Sequence, residues 1–203
     1  KNAINVVPGA AGALTKDDIN QAADVIKNSQ VFLTQLEAPK EVVFHALKIA
    51  KENNVITVLN PAPAASIDKE IFPLIDYFTP NETEAGFYAN HKVEDEEDAK
   101  KASDKLLQLG IKNIIITLGE KGAFFANDTE SFHVPVIDLN NPVVDTTGAG
   151  DAFNGGFAVA LTENEKHNIK DAIKFASATA GLSTTKIGTA NSMPSRDEID
   201  KLL

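Results

Sequence analysis

One stretch of the 203-residue sequence brings glycines, hydroxyls and carboxylates close enough together to do chemistry. Residues 145–156 read Asp-Thr-Thr-Gly-Ala-Gly-Asp-Ala-Phe-Asn-Gly-Gly, after an apolar run and before a segment of helical composition. Gly148 and Gly150 let the backbone turn tightly, and free N–H groups at a helix start form an anion site. The carboxylate of Asp151 is suited to take a proton from a hydroxyl that attacks a phosphate. The stretch therefore predicts phosphoryl transfer, although by itself Asp151 could equally serve only to complement the helix dipole.

Two familiar glycine motifs do not fit this stretch. A dinucleotide-binding fingerprint would need a third glycine at position 153, where the sequence has Phe153. A Walker-type phosphate loop would end in Gly-Lys-Ser or Gly-Lys-Thr, and neither tripeptide occurs in the sequence. Nicotinamide-dependent dehydrogenases and Walker-type ATPases are therefore disfavoured.

The elements that must position this stretch follow an alternating pattern. Short β-branched runs predict buried strands at 31–33, 55–59, 77–79, 114–117 and 142–145. Helical periodicity predicts helices at 15–28, 39–53, 94–109, 149–161, 168–184 and 197–203. Residues 122–138 read instead as an antiparallel hairpin. The alternation predicts an α/β fold with a mainly parallel sheet, organised as one domain over 1–203. Ligands of such sheets bind at the carboxyl ends of strands.

Composition excludes several classes of function. The net charge is -10, which gives no overall attraction to nucleic acid or to anionic membranes. The sequence has no Cys, so disulfides, Cys-ligated zinc, iron–sulfur clusters and thiol catalysis are excluded. The absence of Cys also fits a cytoplasmic protein, which is the expected location. No apolar run reaches the length of a membrane-spanning helix, and no signal-peptide pattern opens the chain. The histidines lack the spacing of a metal site and are expected on surfaces or turns: His45, His91, His133 and His167.

The stretch at 145–156 resembles the second signature of the PfkB-type carbohydrate kinases, with the ribokinase branch as the nearest. Supporting pieces lie at 35–37, 59–63, 79–84 and 117–122, so the resemblance covers almost the whole chain. It implies a three-layer, ribokinase-like α/β sandwich. It also implies that Asp151 is the base, and that the backbone of Gly148, Ala149, Gly150 and Asp151 is the anion hole for the γ-phosphate of ATP.

The resemblance implies further ligand contacts. Glu37 and Asp151 would contact the sugar, and Glu84 would hold Mg²⁺ through water. The residues implied to contact the nucleotide are Asn81, Thr117, Leu118, Gly119, Glu120, Lys121, Gly122, Gly150, Asp151 and Ser177. The residues implied to hold a monovalent cation, typically K⁺, are Asp145, Thr147, Ser183, Lys186, Gly188 and Ser192.

Each of these roles has a simpler structural alternative. Asn81 and Glu84 have the spacing of a helix capping box, and both roles are compatible. The segment 117–122 could be an ordinary turn into the hairpin. Glu37 could be a solvated loop acid, and Asp145 could simply bond the turn that follows it.

The sequence departs from the family at its beginning. The chain opens with Lys1 instead of Met, and its only Gly-Gly pair is Gly155-Gly156. The Gly-Gly-Lys sugar motif and the lid sheet of the family are absent, so the chain is expected to be the C-terminal two-thirds of a longer, homodimeric protein. The expected reaction is transfer from ATP to D-ribose, giving D-ribose 5-phosphate. The alternatives are a fructokinase or nucleoside kinase, a scaffold with a decayed site, or a nucleotide-binding fragment that is inactive alone.

Overall fold

The computed structural model describes residues 7–139, 141–163 and 168–203. The strands are β1 (Val31–Thr34), β2 (Ile56–Leu59), β3 (Tyr77–Phe78), β4 (Asn113–Thr117), β5 (Ala123–Asn127) and β6 (Ser131–Val134). The helices are α1 (Gly9–Gly12), α2 (Lys16–Gln21), α3 (Ala23–Lys27), α4 (Lys40–Glu52), α5 (Glu82–Ala89), α6 (Glu96–Leu107), α7 (Ala149–Thr162), α8 (Ile169–Ser183) and α9 (Arg196–Leu202). His167 and residues 1–6 lie outside the described part.

The six strands form one sheet in the order in which they occur in the sequence. Strands β1 to β4 are parallel, with α4 between β1 and β2, and with α5 and α6 between β3 and β4. Strands β5 and β6 then run antiparallel as a hairpin. The predicted parallel sheet and the predicted hairpin are both confirmed.

Helices cover both faces of the sheet, because side chains alternate in direction along buried strands. Ile114 and Ile116 pack on one side with residues of α4, α5 and α6, such as Leu47. Ile115 packs on the opposite side with residues of α7 and α8, such as Phe157. The arrangement is the predicted three-layer α/β sandwich.

Two predicted elements differ in the structure. The run at 142–145 is not a strand: Val143 and Val144 are 59% and 54% exposed, and the N–H of Val144 donates to Thr184 O at 2.8 Å. An apolar run in a sequence does not reveal which segment it will pair with. This run bonds Thr184, at the end of α8, instead of the edge of the sheet. The predicted helix at 15–28 is two helices that meet at Ala22, although Thr15 begins the first of them with a capping box, as its sequence indicates.

The ends of the helices follow local rules. Asp95, Asn168 and Ser195 begin α6, α8 and α9, and each side chain accepts a hydrogen bond from an N–H three residues ahead. Within the described part of the chain, no helix is both long and apolar enough to cross a bilayer.

Candidate functional site

The start of α7 lies in the loop of residues 145–151, here called the glycine loop. Gly148 is the N-cap of α7 and has a φ of +79°, a left-handed conformation that side chains other than glycine rarely adopt. A Cβ at this position would lie 3.1 Å from Cγ2 of Thr189. The left-handed conformation therefore favours glycine at position 148, and the Thr189 side chain leaves little room for a Cβ.

The first turn of α7 offers N–H groups to an anion. The Ala149 N–H donates to Thr146 O at 3.2 Å, and the Ala152 N–H donates to Gly148 O at 2.9 Å. The N–H groups of Gly148, Gly150 and Asp151 have no hydrogen-bond acceptor among the described residues. Of the four groups implied to form the anion hole, the Ala149 N–H is thus the one already engaged.

The carboxylate of Asp151 meets the carboxyl end of β1. The Gln35 side chain, in the residue after β1, donates from Nε2 to Asp151 Oδ1 at 2.8 Å. Asp151 is otherwise exposed to solvent. The contact fixes the direction of one carboxylate oxygen and leaves the other, Oδ2, open to a ligand. Gln35 belongs to the 35–37 segment that the sequence analysis singled out. Its contact with Asp151 could not be predicted, because the two residues are 116 positions apart in the sequence.

A second residue that sequence reasoning missed is Asn154, one turn further along α7. Its Oδ1 accepts a hydrogen bond from Thr79 Oγ1 at 2.6 Å, and its Nδ2 donates to Gly150 O at 2.9 Å. Asn154 is 5% exposed and Thr79 is 2% exposed. A polar side chain in an otherwise small and apolar helix is the sequence signal that could have drawn attention to it.

The start of α5 carries the Asn81 and Glu84 pair. Asn81 Oδ1 accepts from the Glu84 N–H, and Glu84 Oε2 accepts from the Asn81 N–H, both at 2.9 Å. The structure therefore contains the capping box. Burial, together with the nearby charge of Glu82, raises the pKa of Glu84, whereas the bond from the Asn81 N–H lowers it; the net direction is upward.

The segment from Thr117 to Gly122 leads from β4 into the hairpin and lies beside Asn81. The Thr117 N–H donates to Pro80 O at 3.0 Å, and Thr117 pairs with Asn81 in an isolated β-bridge. Leu118 and Gly122 close the turn, with Gly119, Glu120 and Lys121 between them in a short 3₁₀ helix. Gly122 is a structural necessity, because its φ is +96° and a Cβ would lie 2.1 Å from Val134 O.

The residues implied to hold a monovalent cation lie in the glycine loop, at the last residue of α8 and in the segment that follows α8. A hydrogen bond joins the glycine loop to that segment. The Asp145 carboxylate accepts from the Thr147 N–H at 2.9 Å and from the Gly188 N–H at 3.0 Å. The bonds from Thr147, on its side chain and its backbone, and then the bond from Gly188, hold the pKa of Asp145 below its usual range. Asp145 therefore both bonds its own turn and fastens the glycine loop to the loop after α8.

Other residues of the same set are engaged elsewhere. The Ser183 and Ser192 hydroxyls donate to Ala180 O and Thr189 O, at 2.7 and 2.6 Å. The Lys186 ammonium pairs with Glu198 at 3.0 Å. These positions can offer a cation main-chain oxygens more readily than side chains.

Two predicted contact residues are not joined to the rest by a bond. Glu37 is exposed, two residues past Gln35, and Ser177 is buried within α8. No hydrogen bond of either side chain is formed among the described residues. The structure thus brings together the ends of β1, β3 and β4 with the start of α7. The roles of all these residues, Glu37 and Ser177 included, stay predictions.

Known proteins with similar sequences and structures assign this chain to a family. Residues 1–196 match the family described as pfkB family carbohydrate kinase. The chain is 38% identical over 202 residues to the ribokinase of Staphylococcus aureus, spanning 100% of this chain and 66% of that protein. It is 36% identical over 203 residues to the deoxyribokinase of Salmonella typhi, spanning 100% of this chain and 65% of that protein. The structure of Arabidopsis thaliana ribokinase complexed with ribose and ATP superposes with a TM-score of 0.90 at 32% identity, over 100% of this chain and 65% of that one. The chain, which spans just under two thirds of the length of these relatives, belongs to the pfkB family of carbohydrate kinases.

Proposed function

We propose that the protein is an ATP-dependent sugar kinase that transfers the γ-phosphate to a primary hydroxyl, with D-ribose as the first candidate substrate. The observation that carries the proposal is the start of α7. There the N–H groups of Gly148, Gly150 and Asp151 have no acceptor within residues 7–139, 141–163 and 168–203, and they lie next to a carboxylate that Gln35 orients. An anion hole and a base side by side are what phosphoryl transfer to a hydroxyl requires.

In this mechanism, Asp151 accepts the proton of the sugar hydroxyl as its oxygen attacks the γ-phosphorus and the bond to the ADP oxygen breaks. The charge on the transferring group is spread over its oxygens, where the free N–H groups stabilise it. A positioned base contributes roughly 10²–10⁴ in rate. Because Gln35 engages only Oδ1, Oδ2 of Asp151 is the oxygen available to the sugar hydroxyl.

The nucleotide is assigned to the ends of β3 and β4, where Asn81 and the 117–122 turn lie together. Mg²⁺ accompanies the phosphates and prefers oxygen ligands, often through water. Glu84 fits such a role: Oε2 is engaged by the Asn81 N–H, and Oε1 has no hydrogen-bond donor among the described residues. In the part of the chain that the structure describes, no group of three or more His, Cys, Asp or Glu could hold a metal ion. Bound Mg²⁺ would neutralise phosphate charge during transfer.

A monovalent cation, K⁺ in the first instance, is assigned to the loops fastened by Asp145. The donors there are hard oxygens: a carboxylate, the Thr147 hydroxyl and main-chain carbonyls near Gly188. The pairing of both loops through Asp145 supports a role in holding the glycine loop in place. Replacement of K⁺ by tetramethylammonium in the assay should lower turnover if this assignment holds.

The relatives and one residue of this chain support the choice of candidate substrates. Glu37 is exposed in the segment that follows β1, two residues past Gln35, and a carboxylate is a natural acceptor for sugar hydroxyls. The likeness to the Salmonella typhi deoxyribokinase makes 2-deoxy-D-ribose the second candidate. A panel of D-ribose, 2-deoxy-D-ribose, D-fructose and adenosine discriminates among them. The ribokinase assignment fails if D-ribose is no better a substrate than D-fructose or adenosine.

The proposal concerns the complete polypeptide, which we expect to be a cytoplasmic homodimer. An alternative for this chain alone is a nucleotide-binding piece without catalytic turnover. Production of ADP and sugar phosphate by the 203-residue chain itself would exclude that alternative. Binding of ATP without turnover, alongside an active longer polypeptide, would support it.

The test of the catalytic assignment is Asp151→Asn in the complete polypeptide. We expect kcat to fall by a factor of about 10²–10⁴, because the amide cannot accept the proton. Asp171→Asn is the matched control, since Asp171 occupies the same third helical position in α8 and contributes equally to a helix dipole. Loss of turnover in the Asp151 variant alone supports the base. Unchanged turnover would reduce Asp151 to a helix-dipole residue and would contradict the proposed function.

A further inference from the structure

Asn154 is a buried link between three parts of the proposed site. It lies on α7, it bonds Thr79 at the carboxyl end of β3, and it bonds the carbonyl of Gly150 in the glycine loop. Thr79 is itself fixed, because its N–H donates to Leu59 O at 3.0 Å. Both polar ends of the Asn154 amide are thus engaged, and the group is held in one orientation.

The bond to Gly150 acts on a group that the proposed mechanism uses. A peptide unit is planar, so a fixed Gly150 oxygen also fixes the direction of the N–H on its other side, which belongs to Asp151. That N–H is one of the groups without an acceptor among the described residues. Gly150 lies in the first turn of α7, and a Cβ added there would touch nothing within 4 Å outside the helix's own backbone, so no neighbouring side chain packs against this residue.

We propose that Asn154 is a positioning residue that fixes the Gly150–Asp151 peptide and aims its N–H at the transferring phosphate. Through Thr79, the same side chain couples the anion hole to the strand end that leads into Asn81. The inference deepens the proposed function and rests on it. Preorganised donors stabilise a transition state because they need no reorientation at the moment of reaction.

The sharpest test compares Asn154→Ser with Asn154→Ala in the complete polypeptide. Both variants lose the amide that Thr79 bonds and leave a similar space. A serine hydroxyl in a helix can still donate to the carbonyl four residues back, which here is Gly150 O, whereas alanine cannot. A purely structural role for Asn154 therefore predicts similar turnover for the two variants, and a positioning role predicts different turnover.

We expect kcat of Asn154→Ala to fall about 10- to 100-fold, with KM for ATP and for the sugar within about twofold of the wild-type values. We expect Asn154→Ser to keep kcat within about fivefold. MgADP with aluminium fluoride, a mimic of the transferring phosphoryl group, should inhibit the alanine variant more weakly by a factor similar to the loss in kcat. Equal kcat in the two variants, at any level, overturns the inference.

Thr57→Val is the matched control for lost stability. Thr57 is fully buried, and its hydroxyl bonds Leu74 O at 2.6 Å at the opposite end of the sheet. We expect this variant to unfold more easily but to retain kcat.

If neither Asn154 variant folds, Thr79→Val tests the inference in their place. A several-fold fall in kcat at unchanged KM supports the coupling between Thr79 and the anion hole, and wild-type kcat overturns it. An inactive Asp151→Asn beside a fully active Asn154→Ala would remove this inference alone, whereas an active Asp151→Asn would remove the proposed function.

Discussion

Charged groups at the two ends of the parallel sheet have opposite surroundings: protein groups bond them at the amino ends of the strands, and solvent reaches them at the carboxyl ends. At the amino ends of β2, β3 and β4, Asp76 accepts bonds from the Lys51 and Lys112 ammonium groups and from the N–H and hydroxyl of Thr57. At the carboxyl ends, Asp151 is exposed with one bond from Gln35. Among the described residues, the N–H groups of Gly148, Gly150 and Asp151 beside it have no acceptor.

The comparison separates stability from function. Charges that the protein neutralises with its own groups stabilise the fold, whereas groups left open to a ligand stabilise it little and are available for chemistry. The pKa values point the same way. Burial alone raises the pKa of Asp76, but the bonds from Lys51, Thr57 and Lys112 outweigh it and hold this pKa below its ordinary value. Burial instead prevails for Glu84 at the carboxyl end, whose pKa is raised.

The largest effect on stability is expected from Asp76→Ala. The change removes the carboxylate that pairs with Lys51 and Lys112 and accepts from the Thr57 N–H, and we expect the free energy of unfolding to fall by about 2 kcal/mol. Asp104→Ala is the control, because Asp104 pairs with Lys100 in full view of solvent and its loss should change stability by less than about 0.5 kcal/mol. Urea unfolding measures both. Similar losses in the two variants would contradict the distinction between the two ends.

The pH dependence of stability gives a second way to break the comparison. Because the pKa of Asp76 is lower in the folded protein than in the unfolded chain, its ionised form stabilises the fold above pH 3.8. That stabilisation is lost as the pH falls from there through the folded-state pKa. We expect Asp76→Asn to be less stable than wild type at neutral pH, and the difference to shrink below about pH 4. A difference that stays constant from pH 7 to pH 3 would show that the charge of Asp76 contributes nothing.

The features predicted correctly from the sequence are those decided by nearby residues. The glycine loop and the Asn81–Glu84 box each depend on groups within four positions. The alternation of apolar runs also gave the parallel sheet, because strands buried on both faces need continuous apolar side chains. These local signals were sufficient for the fold class and for the position of the candidate base.

The features that sequence reasoning missed depend on what lies across the fold. The bond between Gln35 and Asp151 spans 116 residues, and the bond between Thr79 and Asn154 spans 75. Neither follows from any periodicity. The false strand at 142–145 has the same origin, since its valines look buried in the sequence but have no strand beside them. Which partner a segment meets is decided by the packing of the whole domain.

The next effect concerns catalysis at the carboxyl ends. Gln35→Ala removes the donor to Asp151, and a bond to a charged group contributes about 1.5 kcal/mol, so we expect kcat/KM to fall about tenfold. Gln108→Ala is the control: Gln108 is exposed beyond the end of α6, on the amino side of β4. Both variants should unfold close to wild type. If the Gln35 variant loses stability but keeps its turnover, Gln35 stabilises the fold, as Asp76 does, and does not orient the catalytic carboxylate.

The smallest change in the free energy of unfolding is expected from Glu84→Gln. Its direction matters, because this variant should be more stable than wild type, whereas the loss of Asp76 should make the protein less stable. A raised pKa means that the ionised Glu84 destabilises the fold at neutral pH. Glutamine keeps an oxygen that accepts the Asn81 N–H but carries no charge, so we expect a slightly higher free energy of unfolding at pH 7 together with lower Mg²⁺-dependent turnover. Asn81→Ala is the control, because it removes the cap of α5 and should cost about 1 kcal/mol. If Glu84→Gln unfolds at a lower urea concentration than wild type, the carboxylate stabilises the fold, and the two ends of the sheet do not differ in the way that the buried charges indicate.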